Sequence, residues 1–115
     1  MLQAGKALKV SIYLNEGATH HGAACESIIL DFLFRQRVSG AAIFKGVAGF
    51  GVHHHLHSAS IVELSDRLPV KIEFIETQEK VDALLGELTE LAGTGMIEIQ
   101  ETMVVKPAGT EKAGS

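Results

Sequence analysis

Apolar and polar side chains alternate strictly near the start of the chain. Aliphatic residues occupy every second position from 8 to 14, and Lys9, Ser11 and Tyr13 stand between them. A period of two predicts a β-strand that buries one face. The same period recurs after Pro69, over residues 70–75, and again over residues 97–105, where Glu101 interrupts the apolar series. These segments predict three strands, and the apolar run 41–47 predicts a fourth.

Two other segments repeat their apolar residues at helical spacing. In the first, residues 23–37, the predicted core face carries Cys25, Ile28, Ile29, Phe32 and Gln36. Thr19 is the candidate N-cap of this helix and Gly40 its candidate C-cap. Leu30 and Phe34 form a second apolar spot on another face. That spot indicates either a subunit contact or a helix that is more deeply buried than usual.

The second helical segment follows Thr77, a residue type favoured at the N-cap, and Glu79 is placed to interact favourably with the helix dipole. Its apolar stripe contains Val81, Leu84, Leu85, Leu88, Leu91 and Ala92. The run Gly93-Thr94-Gly95 then ends the helix.

The resulting order of elements is strand, helix, strand, strand, helix, strand. This order predicts an α+β fold, a ferredoxin-like βαββαβ sandwich with an antiparallel sheet and both helices on one face. The open face of the sheet would carry mostly polar residues, with Tyr13 and Ile75 beside them. That mixture suits either solvent or a polar subunit interface, and the two apolar side chains favour the interface.

Composition restricts the class of protein. The 115 residues suit one domain, expected over residues 1–106, followed by a disordered tail over residues 107–115. A net charge of −4 without a cluster of basic residues argues against a nucleic-acid partner. The single cysteine, Cys25, indicates a reduced, cytoplasmic protein. The apolar stretch 41–52 is too short, and too rich in glycine, to span a membrane.

Candidate binding chemistry begins at a glycine run. Gly46, Gly49 and Gly51 surround Phe50. Glycine lets the backbone approach a ligand closely and direct its amides toward it. The run matches neither the dinucleotide-binding fingerprint nor the P-loop, and its structural alternative is a bulge that closes a strand. Lys45 and Arg67 flank the predicted loop and are the nearest cations for a phosphate.

Histidines follow the glycine run directly. His53, His55 and His57 would lie on one side of an extended segment and could ligate zinc or copper. Same-side neighbours on a strand stand about 7 Å apart, so all three rarely reach one ion. The alternative is a solvated loop that happens to be rich in histidine.

Three motifs together carry a family resemblance: Gly40-Ala41-Ala42, the glycine run with its histidines, and Leu64-Ser65-Asp66-Arg67-Leu68-Pro69-Val70. These motifs lie between the two predicted helices, and residues 5–106 resemble an uncharacterised family of PII-like signalling proteins. The resemblance implies a non-enzymatic homotrimer that binds an adenine nucleotide (AMP, ADP or ATP) in clefts between subunits. It also implies that the connection 47–68 signals to a target protein, such as a membrane transporter or an enzyme.

The resemblance further assigns ligand-binding residues. Gly93-Thr94-Gly95 matches the turn that holds phosphate in PII proteins. Ser65, in the predicted loop, is a further candidate ligand-binding residue. Met96 follows that turn where PII proteins place a basic residue, so a mono- or diphosphate or a cyclic nucleotide would suit it better than a triphosphate. The only tyrosine, Tyr13, lies in the first strand, which argues against regulation by uridylylation.

Two other functions stay open at this point. The chain is also similar in fold to the divalent-cation-tolerance proteins, and a metal-binding trimer would then use His53, His55 and His57. An interaction module that binds one partner protein without any small ligand is the second alternative. The sequence offers no convincing nucleophile–base pair, so an enzyme is the least favoured class.

Overall fold

A computed structural model describes residues 1–15, 19–20, 23–49, 57–58 and 68–109. Within those residues the chain forms the following elements: β1 (Gly5–Asn15), β2 (Thr19–His20), β3 (Ala23–Ala24), α1 (Cys25–Arg35), β4 (Ala41–Lys45), β5 (Ala48–Gly49), β6 (His57–Ser58), β7 (Pro69–Glu76), α2 (Gln78–Ala92) and β8 (Met96–Val104). The long strands and the two helices occur in the predicted order.

The principal sheet has the strand order β4-β7-β1-β8, and each neighbouring pair in it is antiparallel. Two short pairs lie outside it, β2 with β3 and β5 with β6. Both helices contribute buried side chains to one core with the sheet. The predicted ferredoxin-like α+β sandwich is therefore confirmed.

The core is aliphatic and lies between the sheet and the helices. The strand residues at alternate positions are buried, as the period of two predicts: Leu8, Val10, Ile12, Leu14, Val70, Ile72 and Phe74. The α2 stripe is confirmed, with Leu85 half-buried and its other five members buried. Removing such side chains from water is the main force that assembles the sandwich.

Helix α1 differs from its prediction at its N-cap and on its core face. Its N-cap is Ala24, which makes no side-chain capping bond, so Thr19 is not the cap; Thr19 instead pairs with Ala24 between β2 and β3. On the core face, Leu33 is fully buried whereas Gln36 is exposed. Gln36 follows the last helical residue, Arg35. The buried residues of the helix are Cys25, Ile29 and Leu33, which are spaced four apart and therefore lie on one face.

The end of α1 also corrects the predicted C-cap. The Arg37 amide donates to the Phe34 carbonyl at 3.1 Å, and the Val38 amide donates to the Leu33 carbonyl at 3.3 Å. These two bonds define a Schellman motif, whose left-handed position is Arg37, with φ 62°. Gly40 lies three residues beyond it and has no positive φ.

Both ends of helix α2 are as predicted. The Thr77 hydroxyl oxygen accepts a hydrogen bond from the Lys80 amide at 3.2 Å. At the other end, Gly93 takes a left-handed φ of 57°, a conformation that glycine adopts without steric strain. A turn then leads into β8.

Candidate functional site

Both glycine-rich segments lie at the same end of the principal sheet. Lys45, the last residue of β4, pairs with Val70, and Val70 pairs with Leu14 near the end of β1. Tyr13 pairs with Met96, the first residue of β8. The segment that leaves β4 and the turn that enters β8 are therefore level with each other. We call this end of the sheet, defined by Lys45, Pro69, Asn15 and Met96, the loop end.

The first glycine segment lies against β7. The Gly46 amide donates to the Pro69 carbonyl at 2.7 Å. A Cβ atom on Gly46 would meet Pro69 Cγ at 2.7 Å, and one on Gly49 would meet the same atom at 3.1 Å. Close packing on the proline therefore accounts for glycine at both positions, without reference to a ligand.

The connection after Gly46 contains a short antiparallel strand pair, β5 with β6. Ala48 pairs with Ser58 and Gly49 pairs with His57, so the chain reverses between β5 and β6. The predicted ligand-binding residues Phe50, Gly51, Ser65 and Arg67 lie outside the described residues, as do His53 and His55. Lys45 is exposed at the end of β4.

The second glycine segment is the turn Gly93-Thr94-Gly95. The Gly93 amide donates to the Glu90 carbonyl at 3.3 Å, and the Gly95 amide donates to the Ala92 carbonyl at 2.8 Å. Both amides thus complete the end of α2 and are directed at its carbonyls rather than outward. Thr94 is exposed, and it is the residue of this turn best placed to meet a ligand.

Gly95 is tightly surrounded. A Cβ atom there would lie 2.6 Å from both Leu14 Cδ2 and the Tyr13 carbonyl oxygen. The turn is therefore held against the end of β1 by backbone contact, which keeps Thr94 at the loop end.

Register brings a row of side chains together on the open face beside this end, with Phe44 and Met96 exposed and Lys71 and Tyr13 half-buried. Phe44 and Tyr13 each pair with Lys71, and Tyr13 also pairs with Met96. Lys71 Nζ lies 5.1 Å from the Phe44 ring centroid and 3.3 Å from Glu73 Oε2. The sequence pattern places Tyr13 on this face but does not include Phe44 or Met96 there. Only the strand register shows that they share one level.

A second contact on the open face holds the tyrosine. Tyr13 Oη donates to Glu98 Oε1 at 3.1 Å. Glu98 pairs with Ser11, which is buried although it lies on the open face. Ser11 lies between Glu73 and Glu98 in the register, and these longer side chains shield the small serine from solvent.

The two glycine segments belong to opposite edges of the sheet. β4 and β8 are its outer strands, and β7 and β1 lie between them. With strands spaced at about 4.8 Å, the edges are about 14 Å apart within one chain. Gly46 and Gly95 can therefore share a small ligand only if the ligand spans the loop end or lies between two copies of the chain.

Other candidate groups are less informative. Burial, with a smaller contribution from the negative charge of Glu26, raises the pKa of the Cys25 thiol, which makes it a poor nucleophile. Among the described residues, histidine, cysteine and acidic side chains do not cluster in any group of three that could hold a metal. The proposed role of the three histidines in metal binding stays a prediction. In the same part of the chain, neither helix is long and apolar enough to cross a membrane.

Comparison with known proteins identifies the family of this chain. The DUF190 family, described as "Uncharacterized ACR, COG1993", matches residues 7–104. The UPF0166 protein MJ1524 of Methanocaldococcus jannaschii is 35% identical over 102 residues, which cover 88% of this chain and 94% of that protein.

Two solved structures share the fold. CPII, a nitrogen regulatory PII-like protein from Thiomonas intermedia K12 bound to ADP, AMP and bicarbonate, matches with a TM-score of 0.69 at 20% identity, covering 93% of this chain and 95% of that chain. A PII-like signaling protein (TTHA0516) of Thermus thermophilus matches with a TM-score of 0.59 at 14% identity, covering 90% and 94%. The chain therefore belongs to the DUF190 (UPF0166) family, and its fold is that of the PII-like structures.

Proposed function

We propose that this protein is a PII-like regulator, not an enzyme, that binds an adenine nucleotide in clefts between the subunits of a homotrimer. The observation that carries the proposal is the position of the two glycine-rich segments. They lie at one end of the sheet but on its opposite edges. A ligand that contacts both segments would therefore be held where two copies meet, or would extend along the whole loop end.

The nature of the ligand follows from the groups near that end. Lys45 and Thr94 are exposed there, whereas the amides of Gly46, Gly93 and Gly95 already donate to main-chain carbonyls. Met96 stands where a second cation would help a triphosphate. AMP or ADP thus suits the site better than ATP, and the binding of ADP and AMP by CPII supports this class of ligand.

The connection between β4 and β7 is proposed as the signalling element. It leaves the sheet at Gly46 and returns at Pro69, so both of its ends lie beside the proposed nucleotide. A nucleotide shifts the conformation of this connection only if it binds one state better than another. The shifted connection would then bind or release a target protein, and the target would be a transporter or an enzyme.

Isothermal titration of the full chain with AMP, ADP, ATP and cyclic AMP, each with and without Mg²⁺, tests the proposal. We expect binding of AMP or ADP, weakened at least tenfold in Thr94→Val and in Lys45→Ala. Glu87→Ala, an exposed substitution on α2, is the matched control and should bind as the parent does. Absence of heat with all four nucleotides would overturn the proposal.

Thermal unfolding provides an independent readout of the same binding. A nucleotide at one hundred times its dissociation constant adds about 2.7 kcal/mol to the free energy of unfolding. For a domain of this size, that raises the midpoint by about several degrees. A rise with zinc or copper alone would instead favour the metal-binding alternative that uses the histidines.

A further inference from the structure

The open face of the principal sheet has a level at which a small buried side chain stands between two acidic ones. Register places Glu73 of β7, Ser11 of β1 and Glu98 of β8 side by side, with Ser11 in the centre. The neighbours of Ser11 on the same face of β1 are longer, Tyr13 toward the loop end and Lys9 away from it. Ser11 is therefore the floor of a depression with a carboxylate on either side, which we call the glutamate trough.

The Ser11 hydroxyl is the unexplained group of this trough. Ser11 is 5% exposed, yet its hydroxyl makes no hydrogen bond among the described residues. In that part of the chain no side-chain polar atom is both fully enclosed and without a partner, so the Ser11 oxygen still opens into the trough. Buried hydroxyls normally have a partner, because leaving one without a hydrogen bond costs free energy. The position therefore points to a partner from outside the chain.

The two glutamates differ in how far their charge is compensated. Lys71 Nζ lies 3.3 Å from Glu73 Oε2, whereas Glu98 accepts a hydrogen bond from a neutral group, the Tyr13 hydroxyl, at 3.1 Å. Within the described ranges neither Glu98 nor Lys9, the other cation of this face, forms an ion pair. Glu98 thus carries a charge that a bound cation would neutralise.

Strand spacing allows both carboxylates to reach one ion above the serine. The Cα atoms of Glu73 and Glu98 are two strand spacings apart, about 10 Å. Two glutamate side chains that lean toward each other across that distance can both place an oxygen at the Ca²⁺ coordination distance of about 2.4 Å. The Ser11 hydroxyl would supply a third oxygen from below. Carboxylate and hydroxyl oxygens are hard ligands, which suit Ca²⁺ better than zinc or copper.

We propose that Glu73, Ser11 and Glu98 form a binding site for a hard divalent cation, with Ca²⁺ as the preferred ion. Ca²⁺ is preferred because it tolerates an irregular ligand set completed by water, whereas Mg²⁺ requires near-octahedral geometry. The site differs in chemistry from the predicted histidine site and lies apart from the loop end, so it is independent of the proposed nucleotide. A bound ion would join β7 to β8 across β1. With only two charged ligands, we expect a dissociation constant of about 0.1–1 mM.

Tyr13 provides a spectroscopic readout that is specific to this site. It is the only tyrosine, the chain has no tryptophan, and its hydroxyl contacts Glu98. Tb³⁺ replaces Ca²⁺ at oxygen sites and emits when a nearby excited tyrosine transfers energy to it. Titration of the full chain with Tb³⁺ under tyrosine excitation should therefore give emission that saturates at one ion per chain, and excess Ca²⁺ should abolish it.

Substitutions of the same shape test the ligands. Glu98→Gln and Glu73→Gln should each weaken Ca²⁺ binding, measured by displacement of Tb³⁺, by about tenfold or more, because affinity depends on the number of charged ligands. Glu101→Gln is the matched control and should bind as the parent does. Glu101 is an exposed acid of the same strand, but it pairs with Leu8 on the core side of the sheet. Lys71→Met removes the cation that competes for Glu73 and should tighten binding about two- to fivefold.

Ser11→Ala separates a ligand from a structural residue. Without Ca²⁺ this variant should unfold at the same temperature as the parent or higher, because its hydroxyl has no partner to lose. It should nevertheless bind Ca²⁺ several-fold more weakly. A variant that is destabilised without Ca²⁺ and binds Ca²⁺ normally would show a structural role and overturn the assignment of Ser11.

Two results would overturn the site as a whole. The first is emission that does not saturate, or that persists unchanged when Glu73→Gln and Glu98→Gln are combined, because Tb³⁺ would then be bound loosely to the acidic surface. The second is the absence of heat when the parent is titrated calorimetrically with millimolar Ca²⁺.

Discussion

Glu76, at the end of β7, binds Ser39 in the loop before β4. The Ser39 amide donates to Glu76 Oε2 at 2.7 Å, and the Ser39 hydroxyl donates to the same oxygen at 2.9 Å. The Thr77 amide donates to Oε1 at 3.2 Å. Glu76 is 4% exposed, so these bonds replace most of the contact of its carboxylate with water. One buried group thereby joins the end of α1, the start of β4 and the start of α2.

Truncating this carboxylate should destabilise the fold. Glu76→Ala leaves the Ser39 and Thr77 amides without their acceptor, and hydrogen bonds to charged groups contribute about 1.5–3 kcal/mol. We expect the free energy of unfolding in urea to fall by about 2–3 kcal/mol. Ser39→Ala, which keeps the main-chain bond, should cost only about 1 kcal/mol. Glu87→Ala, an exposed acid on α2, should be neutral; equal losses in all three would contradict a specific role for Glu76.

Relieving the left-handed residue at the end of α1 should stabilise the protein. Arg37 adopts φ 62°, a conformation that costs about 1 kcal/mol for a residue with a Cβ atom. Arg37→Gly should therefore raise the urea midpoint.

Gly40→Ala tests the rejected prediction that Gly40 is the C-cap. Gly40 has no positive φ, and a Cβ atom there would meet nothing within 4 Å. It should be tolerated, and a severe loss would restore Gly40 as the cap.

The role of Gly46 can be separated from ligand binding by a double-mutant cycle. Gly46→Ala places a Cβ atom 2.7 Å from Pro69 Cγ, and such overpacking costs about 1–3 kcal/mol. Pro69→Ala removes the opposing atom. If close packing is the reason for the glycine, most of the loss should disappear in the double variant. A loss that persists in full would point to backbone conformation instead.

Two glycines, one inside α2 and one in the turn after it, should respond to alanine in opposite directions. Gly95→Ala would place its methyl group 2.6 Å from the Tyr13 carbonyl oxygen. Relieving this contact requires a shift of the main chain of β1, because the oxygen belongs to the backbone. We expect a loss of at least about 1–3 kcal/mol. Gly86→Ala, with open space around it, should gain about 1 kcal/mol from helix propensity. Thermal or urea unfolding of both variants measures the contrast, and a stable Gly95→Ala would show that the turn is loosely held.

Burial of Cys25 predicts a pH dependence of stability. Its raised pKa means that the folded state disfavours the thiolate. The corresponding stability is complete below the pKa of the unfolded thiol, about 8.5, and is lost as the pH rises through the folded pKa. Above about pH 8.5 the wild type should lose stability more steeply than Cys25→Ala. Parallel curves for the two proteins would show that the thiol does not titrate differently on folding.

Much of the fold could be predicted because local periodicity reports burial. The alternation in β1 and β7 and the stripe in α2 depend only on which side of an element faces the core. Thr77 and Gly93 were recognisable for the same reason, since capping is decided by residues within one turn of the helix. The caps of α1 could not be recognised, because neither end follows the usual residue preferences. Ala24 is the N-cap without a side-chain bond, and Arg37 takes the C-terminal position that glycine usually holds.

The candidate site was predictable only in part. Sequence indicated that Lys45, Gly46 and the turn Gly93-Thr94-Gly95 were special, but not that Gly46 and Gly49 are small because Pro69 lies against them. The row of side chains from Phe44 to Met96 on the open face could not be predicted either, since its members are distant in sequence. Register across three strand pairs decides which of them share a level.

The sequence by itself determined the kinds of element, their order and their buried faces, because hydrophobic burial imposes a period on each segment independently of the others. Only the tertiary structure decided which residues meet. It joined Ser39 to Glu76 across 37 positions, placed the two glycine segments at one end of the sheet, and aligned Phe44 with Met96 across four strands. Those relationships arise from strand pairing and packing between distant segments, which no local pattern encodes.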